Sequence, residues 1–281
     1  MKNIFVFLFV SIAYLCMLSC NNNASTKKIS SMDTLSNSES HIKKMPVTYA
    51  EGNLSLNGYI AFDSTGTSPR PVVLVIPEWW GVTDYIKSRA DKLASLGYFA
   101  MVADMYGNGA IAEDPGTAQK MSDPFYKDFS LGKGRIDAAL AKVKTYPEAD
   151  TSKIAAIGYC FGGNQVLNEA KLGENFKAVV SFHGILLGAP AVKGLLKSPI
   201  LICHGNDDQF VKPDEVAKFK KQLDSIGADY SFKAYPGATH AFTNPQATEL
   251  GKKFNIPIAY NAAADSASWQ EMKDFLLKYF K

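Results

Sequence analysis

Arginine and histidine are both scarce in this chain, which has three arginines (Arg70, Arg89 and Arg135) and four histidines in 281 residues. The 27 acidic residues are nearly balanced by 30 basic ones, so the formal net charge is only +3. No block of basic residues occurs along the chain. The sequence therefore gives no support for a nucleic acid or another polyanion as a partner.

Cysteine is rare as well, with four residues at positions 16, 20, 160 and 203. The last two could pair in an oxidising compartment. However, Cys203 ends an apolar, strand-like run over 199–203, and we expect it to be packed in the core. No group of cysteines and histidines has the spacing of a structural zinc site, so we expect no metal, and no cofactor is predicted.

No apolar run in the chain is long enough to favour a membrane-spanning helix; the N-terminal run covers only residues 4–15 and follows Lys2. The run leads to Ser19 and Cys20, a pattern that resembles the lipobox of bacterial lipoproteins. We predict that residues 1–19 are a cleaved signal peptide and that Cys20 carries lipid. This places the protein in the cell envelope, anchored on the periplasmic side of a bacterial membrane. A plain secretory signal and an uncleaved anchor are the alternatives.

The following segment is rich in Asn, Ser, Thr and Lys and has little to bury, so residues 20–45 are predicted to be a flexible tether. Residues 46–281 are predicted to form one domain of ordinary globular composition, with 47% hydrophobic and 20% charged residues in the chain as a whole. The sequence leaves the oligomeric state open, and we expect a monomer.

From residue 46 onward, strand-like and helix-like segments alternate. An antiparallel hairpin is predicted first, and the continuous apolar run 71–76 is typical of a strand that is buried on both faces. Further strands are predicted at 98–102, 153–157, 177–182, 199–203 and 230–234, with helices at 84–96, 131–146, 163–171, 213–226 and 265–280. This alternation predicts a mostly parallel sheet with helices on both faces. Residues 105–130 are predicted to be an irregular loop at the carboxyl edge of that sheet.

The segment from Gly158 to Gly162 carries the strongest chemical signal. It reads Gly-Tyr-Cys-Phe-Gly and stands between a predicted strand and a predicted helix. This is the nucleophile elbow of the α/β-hydrolase fold, G-x-S-x-G, with Cys160 in place of serine. Its glycines allow a tight turn, and the helix N-terminus beyond favours a thiolate. The alternative is that Cys160 is a small buried hydrophobic residue.

The partners that a nucleophile needs follow in chain order. Asp208 follows the strand 199–203 and His240 follows the strand 230–234, which gives the order nucleophile, acid, base of the α/β-hydrolase fold. Asp207 is a rival for the acid. His183 and His204 also follow strands and could line the pocket, although a hydrogen-bonded structural role is favoured for both.

Together, Glu78, Cys160, Asp208 and His240 in their local motifs resemble the dienelactone hydrolase family from about residue 46 to the C-terminus. The resemblance implies that Cys160 is the nucleophile, that Asp208 and His240 complete the triad, and that Glu78 touches the resting thiol and helps its deprotonation. It also implies that the backbone N–H groups of Trp79 and Phe161 form the oxyanion hole.

The chain departs from the family where two arginines hold a substrate carboxylate. Asn108 and Asn244 stand at or near those places, and without arginine the carboxylate clamp is missing. We therefore expect the substrate to be a small neutral or differently charged ester or lactone, not dienelactone itself. Trp79, Trp80 and Phe161 are expected to offer it aromatic surface. A non-catalytic envelope ligand-binding protein on a hydrolase scaffold is the alternative function.

Overall fold

The computed structural model describes residues 41–281, which fold into eight strands and seven helices. The strands are β1 (Ile42–Glu51), β2 (Leu54–Asp63), β3 (Arg70–Ile76), β4 (Phe99–Val102), β5 (Ala149–Tyr159), β6 (Ala178–Phe182), β7 (Ile200–Gly205) and β8 (Tyr230–Tyr235). The helices are α1 (Asp84–Ala94), α2 (Pro115–Lys127), α3 (Phe129–Val143), α4 (Phe161–Lys171), α5 (Pro213–Ile226), α6 (Ala247–Phe254) and α7 (Ala262–Tyr279).

All eight strands form one sheet in the order β1-β2-β4-β3-β5-β6-β7-β8. The β1–β2 hairpin is antiparallel, and β2 also pairs antiparallel with β4. From β4 through β8 every neighbouring pair is parallel. The carboxyl ends of the parallel strands therefore meet at one edge, where ligands bind in open α/β sheets.

The central strands are buried on both faces, which explains their unbroken apolar sequences. In β3, Val72 and Leu74 pack into a cluster with residues of α3, α4 and α5. Val73 and Val75 point to the other face and pack into a cluster with residues of α1 and α7. The predicted α/β-hydrolase architecture, with an antiparallel N-terminal hairpin and helices on both faces, is confirmed.

The folded domain begins earlier than the predicted boundary at residue 46. Strand β1 starts at Ile42, which pairs with Asp63 of β2, so the last residues of the predicted tether 20–45 belong to the sheet. Strand pairing holds this polar end in place although it buries little apolar surface. The predicted signal peptide 1–19, Cys20 and most of the tether lie outside the described residues. Among residues 41–281, no helix is both long and apolar enough to cross a membrane.

The prediction of an irregular loop over 105–130 is wrong for its second half, which forms α2. Asp114 caps this helix by accepting a hydrogen bond from the Thr117 N–H, and Pro115 occupies the first turn. Helix α3 starts at Phe129, two residues before the predicted start at 131, and Asp128 is its N-cap. Helix α6 was not predicted either.

Candidate active site

Cys160 occupies a strained turn between β5 and α4. Its backbone has φ 53° and ψ −114°, values that residues with side chains rarely adopt. The flanking glycines are required by close packing: a Cβ on Gly162 would collide with the Ile76 carbonyl of β3, and one on Gly158 would collide with the Gly162 carbonyl. The turn is therefore held by the neighbouring strand and presents the sulfur at the carboxyl edge of the sheet.

Two loops bring the predicted acid and base to this sulfur. The Nε2 atom of His240 lies 3.0 Å from Cys160 Sγ, and its Nδ1 atom lies 2.8 Å from Asp208 Oδ2. The second oxygen of Asp208 accepts a hydrogen bond from the Phe210 N–H at 2.8 Å. Asp208 is buried, whereas Asp207 is exposed. The structure thus brings Cys160, His240 and Asp208 into one hydrogen-bonded row.

The charges in this row favour a proton on the imidazole. Burial alone would lower the pKa of His240, but the adjacent Cys160 and Asp208 raise it well above its ordinary value. The sulfur also lies at the N-terminus of α4, where the helix dipole favours negative charge. The arrangement can therefore support a thiolate–imidazolium pair, with Asp208 fixing the orientation of the ring.

The other two histidines near the sheet edge have different surroundings. His183 is buried and its Nδ1 accepts a hydrogen bond from the Cys160 N–H at 3.1 Å, while its Nε2 lies 2.7 Å from Thr243 Oγ1. Burial lowers the pKa of His183 well below its ordinary value, so the ring is neutral. His183 holds the cysteine backbone in place, in agreement with the hydrogen-bonded structural role that the sequence analysis favours for it. His204 differs from that expectation, because its buried Nδ1 has no hydrogen-bond partner among the described residues.

Glu78 is held by Asn244 and not by the thiol. The Asn244 amide donates to Glu78 Oε2 at 2.8 Å, and the Asn244 oxygen accepts from the Gln246 N–H at 2.9 Å, which fixes the amide. The Cys160 sulfur is hydrogen-bonded to His240 in this structure. It is not bonded to Glu78, which differs from the contact expected between Glu78 and the resting thiol. Burial raises the pKa of Glu78 to about 7, although Asn244 and His240 lower it in part.

This buried carboxyl makes the stability of the domain depend on pH. Above the unfolded pKa of 4.5 the unfolded chain loses the Glu78 proton, while the folded chain keeps it until about pH 7. The free energy of unfolding therefore falls as pH rises between these two values. The variant Glu78→Gln is expected to remove this pH dependence of the free energy of unfolding. Its side-chain amide oxygen can still accept a hydrogen bond from Asn244. Relative to wild type, it is expected to gain up to about 3 kcal/mol at about pH 8 and little at about pH 4.

Urea denaturation of both proteins at the two pH values measures this difference. The exposed carboxylate Glu249 on α6 provides the matched control, because Glu249→Gln removes the same charge without relieving burial. An equal effect of Glu78→Gln at both pH values would show that the charge of Glu78 is not what destabilises the folded state.

A cavity of about 590 Å³ opens over the sulfur. Both Cys160 and His240 line it, together with Glu78, Trp79 and Trp80. The cavity is further lined by Pro115, Gly116, Gln119, Ser122, Asp123 and Tyr126 of α2 and by Ile185, Phe210, Ala241, Ile256 and Ile258. One face of α2 thus forms a wall of the cavity. Sequence reasoning missed these α2 residues, although the sequence Asp114-Pro115 is a recognised helix-start signal.

Among residues 41–281, no arginine or lysine lines this cavity. Each of the three arginines is bonded elsewhere: Arg70 to backbone carbonyls, Arg89 to Asp265 at 2.6 Å, and Arg135 to Glu51. Asn244 contacts Glu78, but Asn108 is exposed, is not part of the cavity wall and bonds through its N–H to the Ser55 carbonyl. The cavity therefore offers no cationic clamp for a substrate carboxylate.

Aromatic rings line part of the cavity, but not all of those expected. Trp79 and Trp80 face it, and their ring centroids are 5.1 Å apart. The Phe161 ring is fully buried and stacks on Tyr106 at 5.7 Å, so it offers no surface to a ligand. The backbone of Phe161 nevertheless starts α4 directly after the cysteine, and Trp79 follows the end of β3.

Away from the cavity, carboxylate oxygens of Asp137, Glu169 and Glu174 lie within 4.8 Å of one another. Such a group could hold a metal ion. However, the Lys133 ammonium lies 2.9 Å from Asp137 and 3.2 Å from Glu169, and it already compensates their charge.

The eight-stranded sheet and the strained cysteine turn at its carboxyl edge are those of an α/β hydrolase. The profile of the Dienelactone hydrolase family matches residues 56–280. The chain therefore belongs to the dienelactone hydrolase family. Among its relatives, a protein of Aquifex aeolicus named "Putative carboxymethylenebutenolidase" is 30% identical over 244 residues, covering 84% of this chain and 98% of the relative.

Two further proteins show the same relationship. "Protein usf" of Aquifex pyrophilus is 30% identical over 220 residues, which cover 76% of this chain and 94% of the relative. The crystal structure of a dienelactone hydrolase-like promiscuous phosphotriesterase from metagenomic libraries superposes with a TM-score of 0.80 at 34% identity. It covers 86% of this chain and all of that one. The likeness thus extends over nearly the whole described domain.

Proposed function

We propose that this chain hydrolyses a small ester or lactone that is not an anion, through an acyl-cysteine intermediate. The observation that carries the proposal is the row from Cys160 through His240 to Asp208, which opens into a cavity that no described lysine or arginine lines. The family membership supports hydrolysis as the reaction class.

In the proposed first step, His240 Nε2 takes the thiol proton and the Cys160 sulfur attacks the carbonyl carbon. Negative charge then develops on the carbonyl oxygen, where the N–H groups of Trp79 and Phe161 stabilise it. As the C–O bond breaks, the imidazolium returns its proton to the leaving alcohol, which stays attached to the acyl group when the substrate is a lactone. Asp208 holds the ring in the tautomer that these transfers need.

The second step releases the enzyme. A water molecule attacks the thioester carbonyl while His240 accepts its proton, and the Cys160 thiolate leaves and regains the proton from His240. Glu78 is proposed to support this mechanism by controlling when the thiol ionises. As a buried carboxyl in the same cavity, it favours the neutral thiol while it is ionised, and a substrate that displaces it allows deprotonation.

The missing clamp determines the expected substrate preference. A carboxylated lactone loses two charge-assisted contacts, each typically worth about 1.5–3 kcal/mol, and meets the carboxyl groups of Glu78 and Asp123 instead. Relative to a family member that has both arginines, we therefore expect kcat/KM for a carboxylated lactone to be lower by on the order of a hundredfold or more. On this enzyme we expect the neutral analogue to be preferred over the carboxylated one.

The measurement is a panel of neutral and carboxylated lactones and esters assayed on residues 41–281. Turnover must disappear in Cys160→Ala. A clear preference for the carboxylated compound would mean that another cation, such as Lys133 or Arg135, supplies a clamp. A wild-type protein that binds these compounds but turns none of them over would favour the ligand-binding alternative.

The location of the protein is proposed from residues 2–20: the mature chain is lipid-anchored in the cell envelope through Cys20. In the full chain, Cys20→Ser is expected to block lipidation and leave an unprocessed or mislocalised precursor, while the control Cys16→Ser leaves membrane association intact. Membrane fractionation and mass spectrometry of the N-terminus measure this. An unlipidated N-terminus downstream of Cys20 in the native protein would contradict the proposal.

A further inference from the structure

Asp123 stands out in the wall of the cavity over Cys160. It lies on the face of α2 that lines the cavity, between Gln119 and Tyr126, and it is half-buried. Apart from Glu78, it is the only carboxylic acid that the described part of the chain contributes to the cavity wall. A ligand in this cavity therefore meets the Asp123 carboxylate in a partly buried setting.

The Asp123 carboxylate has no ion-pair partner within 4.0 Å in the described part of the chain. The nearest lysines along α2 are Lys120 and Lys127, which are both exposed and do not line the cavity. Its situation differs from that of Glu78, which is fixed by Asn244. A partly buried carboxylate that lacks a partner attracts a cation more strongly than an exposed one does.

Asp123 is also close enough to the reacting centre to matter for a small substrate. Burial raises the pKa of Tyr126, and negative charge on Cys160 and on Asp123 raises it further. Asp123, Tyr126 and Cys160 also line one cavity of about 590 Å³. A substrate whose carbonyl carbon is at the sulfur can therefore place another part of itself beside Asp123.

The remaining surface suits an alkylammonium group. Trp79, Tyr126 and Phe210 present aromatic rings to the same cavity, and the Phe210 ring centroid lies 4.9 Å from that of His240. Aromatic faces attract ammonium groups and also pack well against their methyl groups. Among residues 41–281, no lysine or arginine of the cavity wall opposes such a ligand, and Asp208 balances the positive charge of His240.

We infer that the cavity selects esters that carry a cationic ammonium group, with Asp123 and the rings of Trp79, Tyr126 and Phe210 as its binding site. This inference rests on the proposed ester hydrolysis and names the substrate class. Asp123 is a specificity residue in this arrangement and takes no part in the bond-breaking steps.

The experiment compares matched pairs of esters that differ only in charge. One pair carries the charge on the alcohol: acetylcholine and its carbon isostere, in which a tert-butyl group replaces trimethylammonium. The other pair carries it on the acyl side: p-nitrophenyl esters of a trimethylammonio-pentanoic acid and of its carbon isostere. For each pair, the ratio of kcat/KM for the cationic ester to kcat/KM for the neutral ester is measured, which cancels any general loss of activity.

We expect Asp123→Asn to lower this ratio about tenfold for at least one pair, and Asp123→Glu to keep it above the Asn value. The matched control is Asp274→Asn, which removes an exposed carboxylate of α7 and leaves the ratio unchanged. A ratio that Asp123→Asn does not lower for either pair overturns the inference, while Cys160-dependent cleavage of the neutral esters keeps the proposed function intact. Failure of the wild-type protein to cleave any of these esters overturns both.

Discussion

Replacing Cys160 with alanine is expected to lower kcat for an activated ester by roughly 10⁴-fold or more, and His240→Ala is expected to have a similar effect. The two losses should be alike because the sulfur and the imidazole, 3.0 Å apart, act as one unit in both steps of the reaction. Removing either one leaves only the contribution of binding and of the oxyanion donors. p-Nitrophenyl acetate hydrolysis measures the loss, and thermal unfolding confirms that each variant is folded.

The chain contains a matched control for each substitution. Cys203 is the second thiol of the domain, buried on β7, and Cys203→Ala is expected to keep kcat within a few-fold of wild type. His204→Ala serves the same purpose for His240. If His240→Ala retained near-normal kcat while His183→Ala or His204→Ala were inactive, the assignment of His240 as the base would be wrong.

The second large effect is expected at the acid. Asp208→Asn should reduce kcat by roughly 10³- to 10⁴-fold, because an asparagine in its place can donate to His240 Nδ1 and stabilise the wrong tautomer. Asp207→Asn should change kcat by no more than about threefold, since the Asp207 side chain is exposed and only its backbone N–H bonds to the neighbouring loop, at the Ala238 carbonyl.

These two neighbouring residues form their own comparison, since the same substitution removes the same charge one position apart. Steady-state kinetics on a single ester is sufficient. The opposite ranking, with Asp207→Asn inactive and Asp208→Asn nearly normal, would assign the acid to Asp207 and would contradict the observed 2.8 Å contact between Asp208 and His240.

The pattern of the chain alone predicts the class of fold and the row of reacting groups. Alternation of apolar strands with helices predicts the parallel sheet, because these periodicities are local properties of a few consecutive residues. The turn at Cys160 is predictable for the same reason, since its glycines, its strand and its helix are all adjacent in sequence. Chain order then favours Asp208 and His240, which the sheet edge brings together.

Contacts between distant segments could not be predicted in this way. Asn244 and Glu78 are 166 residues apart, and His183 reaches the cysteine turn only because β5 and β6 are neighbours in the sheet. Helix α2 combines weak helix formers with Pro124, so its local propensity is low, and packing against the domain decides its conformation.

The sequence by itself thus determined the fold class, the reacting cysteine and its two predicted partners, all of which depend on short motifs and their order. The tertiary structure decided what surrounds them: the wall that α2 forms, the position of Asp123 in it, and the bonding of every arginine outside the cavity. The reason is physical. A motif fixes the local path of the backbone, whereas the shape and charge of a cavity depend on side chains that packing brings together from across the chain.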